Sequence, residues 1–120
     1  MSVNDPRVRL QHMLDAAREV VQFTSGRERA DLDNDQMLLR ALSMSTGIIG
    51  EAASQLDEAI CSKYPDVPWR QIIGMRNFLF HEYFRVDANI LWATAKKAVP
   101  PLIPQLEQIL ADLNSDNDES

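Results

Sequence analysis

Arg76 and His81 stand five residues apart in RNFLFHEYF (residues 76–84), with Tyr83 two residues further on. The pair joins a permanent cation to a proton carrier that titrates near neutrality. A guanidinium is a planar fork matched to phosphate oxygens, and an imidazole can take or give a proton during reaction. Together they suit cleavage of a phosphodiester in RNA. The ribose 2′-hydroxyl is the internal nucleophile there, so the protein need supply none. Histidine would handle the proton of the attacking or leaving oxygen, and arginine would stabilise charge growing on the phosphoryl group. Asn77 could bond phosphate or orient a catalytic group. No cofactor or metal is expected: His12 and His81 fall on different helices, and no ligand-like spacing of Cys, His and carboxylates occurs.

On a helical wheel with Trp69 at zero, Ile72, Ile73, Leu79 and Phe80 share an apolar arc, and Arg76 falls inside it at about 340°. Tyr83 lies near it at about 320°, whereas Asn77, Arg70 and His81 form a polar side. A charge among apolar neighbours is costly unless it is paired or borders a cleft. The simpler reading is therefore that Arg76 snorkels or pairs with Glu51 in IIGEAA. His81 alone would more often be a surface residue or a cap for the last carbonyls. Tyr83 alone would more often be a packed ring with a wet hydroxyl. Arg76 and His81 stand about 140° apart on a straight helix. A π-type last turn or a two-fold axis between two chains would bring them to one atom.

The elements that must position these groups are helices. The chain of 120 residues is 45% hydrophobic and 25% charged, which fits one soluble domain with a single core. No apolar run reaches membrane-spanning length, and no export signal opens the chain, so a cytoplasmic protein with no membrane contact is expected. One cysteine, Cys61, excludes an internal disulfide and reads as a small core residue in a reducing compartment. The net charge of −6 argues against broad electrostatic coating of nucleic acid. Residues 63–97 carry six cations and three acids, a local +3 that leaves −9 on the remainder.

Asp5 and Pro6 predict a first helix start, followed by Leu10, Leu14, Ala17, Val21 and Thr24 at helical spacing. Asp33 with Gln36 resembles a capping box, with Leu32 and Met37 as its staple. A second helix is predicted over 34–62. Two apolar stripes, one from Leu38 to Ile60 and one of Met37, Ala41, Met44 and Ile48, predict two packed sides. Gly47 and Gly50 predict a close helix approach. KYPDVPW breaks the chain. A third helix follows over about 68–82, a fourth over 88–98 capped by Asp87, and a fifth carrying Leu102 to Leu113. Short connections predict an up-and-down all-α bundle of four to five helices over residues 1–113, with residues 114–120 as an acidic, disordered tail.

At these residues the chain resembles the HepT-like ribonuclease toxins of the HEPN superfamily (higher eukaryote and prokaryote nucleotide-binding domains). RNFLFH matches their Arg–x4–His motif with a polar residue after the arginine, and HEY supplies the following tyrosine. IIGEA (48–52), YPDVPWRQIIGMRN (64–77), HEYFRVD (81–87) and Trp92 extend the match. The resemblance implies an all-helical HEPN-like homodimer with the motif lining a cleft between protomers. It implies a metal-independent endoribonuclease, the toxin of a type II/VII-like toxin–antitoxin module. It implies a minimal nucleotidyltransferase antitoxin of the MntA type, which neutralises the toxin by transferring AMP to the motif tyrosine. Carried across, Arg76 and His81 are catalytic, Asn77 is supporting and Tyr83 is the modified residue. An added nucleotidyl group beside Arg76 would bring bulk and negative charge to the phosphate site.

Two other readings compete with this one. In the first, the chain is a non-catalytic nucleotide-binding or docking subunit of a nucleotidyltransferase, and Arg76 grips a nucleotide phosphate without cleavage. In the second, it is a structural dimerisation bundle with Arg76 in an internal salt bridge.

Overall fold

A computed structural model of the chain describes residues 5–80 and 86–119. The fold is all-α, with no strand among the described residues. Three long helices carry it: α1 (Pro6–Thr24), α3 (Gln36–Ser54) and α8 (Leu102–Glu119). Short pieces connect them: α2 (Asp31–Asn34), α4 (Glu58–Lys63), α5 (Trp69–Gly74), α6 (Asn77–Phe80) and α7 (Ala88–Ala93), the last extended by a π-turn over Thr94–Ala98. Helix α1 packs on α3 and α8, and α3 also packs against α5 and α6. No helix among the described residues is long and apolar enough to cross a membrane.

The first helix starts where its sequence signal lies. The Asp5 carboxylate accepts from the backbone N–H of Arg7 at 2.9 Å, and Pro6 follows the cap. This satisfies one of the orphan donors of the first turn. The Arg7 guanidinium also donates to Asp5, at 2.6 Å for Nη2. Those bonds from Arg7 hold the Asp5 carboxyl at about 2, below the usual aspartate value. Leu10, Met13, Leu14, Ala17 and Val20 are buried on one stripe. Val21, expected on that stripe, is 39% exposed, and Val20 takes its place.

Four expectations about the second helix need correction. Its cap is Asp35, whose side chain accepts from Leu38 N at 3.0 Å, because Asp33 is already engaged inside the short turn of α2. Met37 is 83% exposed and therefore staples nothing. The helix ends at Ser54, not near residue 62, and α4 is a separate turn entered at Asp57. The Ser54 hydroxyl donates to the Glu51 carbonyl at 2.6 Å, the kind of local bond that competes with a helical ladder. Of the first stripe, Leu38, Leu42, Ser45, Ile49 and Ala52 are buried as expected, whereas Leu56 and Ile60 lie beyond the helix end and are only half-buried. The second is not a packed side: Met44 is 49% exposed, and Ala41 and Ile48 are only half-buried.

The loop before α5 is held at both ends. The Trp69 indole N–H donates to the Tyr64 carbonyl at 3.0 Å. The Tyr64 hydroxyl donates to the Asp112 carboxylate on α8 at 3.0 Å. Burial, and then this bond to Asp112, push the Tyr64 hydroxyl above its ordinary value. Asp87 caps α7, accepting from Asn89 N and Ile90 N. Helix α8 runs to Glu119, so residues 114–119 continue the helix where a disordered tail was expected. No proline or glycine interrupts them, and extending a formed helix adds one bond for each residue fixed. Cys61 is half-buried, not a core residue, and burial pushes its thiol up.

Candidate active site

The expected third helix is not continuous, and its interruption falls at Arg76. Helix α5 ends at Gly74, Met75 and Arg76 form a turn, and α6 begins at Asn77. The Met75 N–H donates to the Ile72 carbonyl at 2.9 Å and the Arg76 N–H to the Ile73 carbonyl at 3.2 Å, the tightened i→i+3 pattern of a helix end. The wheel that put Arg76 inside an apolar arc assumed an unbroken helix. With the break, Ile72 and Met75 are buried, and Arg76 and Asn77 are both exposed.

Helix α3 shapes this break. A Cβ placed on Gly50 would collide with the Arg76 backbone nitrogen and come within 2.8 Å of the Ile72 carbonyl oxygen and 2.9 Å of the Met75 carbonyl carbon. A Cβ on Gly47 would collide with the Leu79 Cβ and lie 2.9 Å from its nitrogen. Gly47 and Gly50, one turn apart, therefore form the flat strip on which the Arg76 turn and α6 rest. The close helix approach expected from the two glycines is present, and what approaches is the backbone of Arg76.

The pairing of Arg76 with Glu51 does not occur. No ion pair or side-chain hydrogen bond engages Arg76 among the described residues. Glu51 instead accepts from its own neighbour one turn on, Gln55 Nε2, at 3.3 Å. Arg76 thus presents a guanidinium to solvent from a backbone position fixed by α3, and Asn77, the next residue, is exposed as well. His81 and Tyr83 lie outside the described residues, as does the last turn, where π-type geometry would bring Arg76 and His81 together. The π-turn that is present sits elsewhere, at Thr94–Ala98, where Lys96 lies 5.7 Å from the ring centre of Trp92.

A groove of about 310 Å³ opens beside the break. It is lined by Arg9 and His12 from α1, by Ile48, Glu51 and Ala52 of α3 with its C-cap residue Gln55, and by Leu79 of α6. Arg9 was not singled out from the sequence. Its spacing of three residues from His12 was a visible signal, since it puts both on one face of α1. Only the packing of α1 on α3 brings that face against Glu51. Among the described residues no three His, Cys, Asp or Glu side chains cluster as a metal-binding group would require.

Similarity to known proteins bears on the same segment. The family model described as "Ribonuclease HepT-like" matches residues 13–109. "Putative RNase TTE0752" of Caldanaerobacter subterraneus is 39% identical over 105 residues, covering 88% of this chain and 94% of that protein. "Putative RNase MJ1380" of Methanocaldococcus jannaschii is 34% identical over 107 residues, covering 89% and 98%. "Probable ribonuclease HepT" of Thermococcus cleftensis is 31% identical over 100 residues, covering 83% and 91%. No solved structure matches the chain. A match over most of the chain, spanning the Arg76 turn and the helices that hold it, means that the protein belongs to the HepT-like ribonuclease family.

Proposed function

We propose that the chain is a metal-independent endoribonuclease and the toxin of a two-component module. The observation that carries this reading is the state of Arg76: exposed, without an ion pair among the described residues, and fixed by Gly50 at a helix break with Asn77 beside it. A structural salt bridge would have consumed the guanidinium, whereas a phosphate-binding role needs it free. In the reaction the 2′-hydroxyl of RNA attacks the adjacent phosphorus and the 5′-oxygen of the next nucleotide leaves. The products are a 2′,3′-cyclic phosphate and a 5′-hydroxyl. His81 moves the proton of the attacking or leaving oxygen, Arg76 holds the charge on the phosphoryl oxygens, and Asn77 orients the phosphate.

The active form is a homodimer, with the motif of each chain at the cleft. Support comes from the unpacked stripe of α3, where Met37 and Met44 are 83% and 49% exposed. Large apolar side chains at helical spacing on one exposed face suit burial against a second copy. Neutralisation is by a minimal nucleotidyltransferase: the Tyr83 hydroxyl attacks the α-phosphorus of ATP, pyrophosphate leaves, and the attached AMP occupies the phosphate site.

The test is incubation of the purified chain with RNA in EDTA. The parent should yield cyclic-phosphate ends, and RNA carrying 2′-deoxy sugars should stay intact. Equal cleavage by the parent, Arg76→Ala and His81→Ala would refute the assignment. Intact mass after co-expression with the partner tests Tyr83, since an adduct that persists in Tyr83→Phe would place the modification elsewhere.

A further inference from the structure

We propose that the groove between α1 and α3 binds a single-stranded nucleotide of the RNA substrate next to the cleaved linkage, with Arg9 on its phosphate. The proposal rests on the ribonuclease reading and extends it to how the substrate is held. Four observations carry it.

The first is the state of Arg9. It is half-buried, yet it forms no ion pair among the described residues, whereas Arg7, Arg18, Arg27 and Arg29 are each paired with a carboxylate. A partly desolvated, unpaired guanidinium is costly to keep and strongly favours an anion. The second is the distribution of chemistry around the groove. Arg9 and His12 form the α1 wall, Glu51 and Gln55 the α3 wall, and Ile48, Ala52 and Leu79 the apolar surfaces between them. A nucleotide has the matching three parts. Its phosphate belongs at the cationic wall. Its base face belongs on the apolar surface. Its N–H edge belongs at Glu51 and Gln55, which already share a hydrogen bond at 3.3 Å. The carboxylate repels phosphate, so only one orientation satisfies both walls.

The third observation is size. About 310 Å³ is at the small end of ligand sites, suited to one unstacked nucleotide and not to a duplex, and unstacked bases are how proteins read RNA sequence. The fourth is position. Leu79, which lines the groove, comes one turn after Arg76, and Glu51 follows Gly50, against which the Arg76 backbone rests. A nucleotide seated there lies against α6, the element that follows the turn carrying the arginine assigned to the reacting phosphate.

The test uses the full chain and a short fluorescein-labelled 2′-O-methyl RNA, which lacks the nucleophilic hydroxyl and survives the assay. Arg9→Ala should weaken its binding about tenfold, the loss of roughly one charge-assisted hydrogen bond. Arg9→Lys should restore part of that, and the salt dependence should fall by about one phosphate contact in Arg9→Ala but not in Arg9→Lys. Arg18→Ala, which breaks only the exposed pair with Glu107, serves as the control and should bind like the parent. With unmodified RNA, Arg9→Ala should raise KM by a similar factor and leave kcat within about twofold. Cleavage with unchanged KM and unchanged binding in both Arg9→Ala and Arg9→Glu would overturn the groove and leave the ribonuclease reading standing. Arg9-dependent binding by a chain that cleaves no RNA would support the groove and overturn the nuclease. Displacement of the probe from the parent by a free mononucleotide, with RNA affinity untouched by Arg9→Ala, would overturn the assignment to RNA.

Discussion

Gly50 of α3 lies against the backbone nitrogen of Arg76, so closely that no side chain fits between them. The site is therefore held from behind by the absence of an atom. Gly50→Ala should destabilise the fold by about 2 kcal/mol, since the colliding atoms are backbone and cannot rotate away. The gain of roughly 1 kcal/mol usual for alanine over glycine in a helix is too small to offset this. Gly47→Ala should behave similarly against Leu79, whereas a Cβ on Gly74 meets nothing within 4 Å and Gly74→Ala should be neutral or slightly stabilising. Urea denaturation of the three variants checks the order. A Gly50→Ala protein as stable as the parent would show that the approach of α3 to the Arg76 turn is not tight in solution.

Arg76→Ala should separate stability from activity. The side chain is exposed and without an ion pair among the described residues, so its loss should change stability by no more than about 0.5 kcal/mol. Cleavage should fall by about a hundredfold or more, as for removal of one preorganised group that stabilises developing charge. A thermal melt beside a cleavage assay reads both. A large drop in Tm with little loss of cleavage would favour the structural bundle.

Met37→Glu and Met44→Glu should weaken self-association. Each places a charge on the exposed apolar stripe of α3, and a charge buried unpaired at an interface costs enough to shift a dimer constant by about tenfold or more. Sedimentation over a range of concentrations gives the constants. The monomer should keep its helical circular dichroism, because neither methionine belongs to the core.

Tyr64 should make stability pH-dependent on the alkaline side. Its folded value lies above the ordinary one because of burial and the bond to Asp112. The fold thus favours the neutral hydroxyl. That contribution is complete below the unfolded tyrosine value of about 10 and is lost as pH rises through the higher folded value. Denaturation midpoints measured from pH 8 upward should fall more steeply for the parent than for Tyr64→Phe. Parallel curves would mean that the bond between Tyr64 and α8 does not hold in solution.

Much of this was legible in the residues themselves. Asp5–Pro6 and Asp87 mark helix starts through chemistry that acts within three residues. The stripe from Leu38 to Ala52 follows from a period of 3.6 and is buried as that period requires. Residue type and spacing show that Arg76 and its neighbours could handle a phosphate and a proton, and the family follows from the match around them. Other features were not local. Asp35 replaced Asp33 as a cap because an extra turn formed upstream. The stripe from Met37 to Ile48 read as a packed side, because an apolar period shows that a face is apolar and not what covers it.

By itself the sequence determined that the chain is helical, where most of its helices begin, and which side chains could handle a phosphate and a proton. These depend on backbone propensity, capping and side-chain chemistry, which act over a turn or two. Only the tertiary structure decided that the third helix breaks at Arg76, that the guanidinium faces solvent, and that Arg9 of α1 meets Glu51 of α3 across one groove. Those outcomes depend on how closely two helices pack, and at Gly47 and Gly50 that distance is set by atoms far apart along the chain.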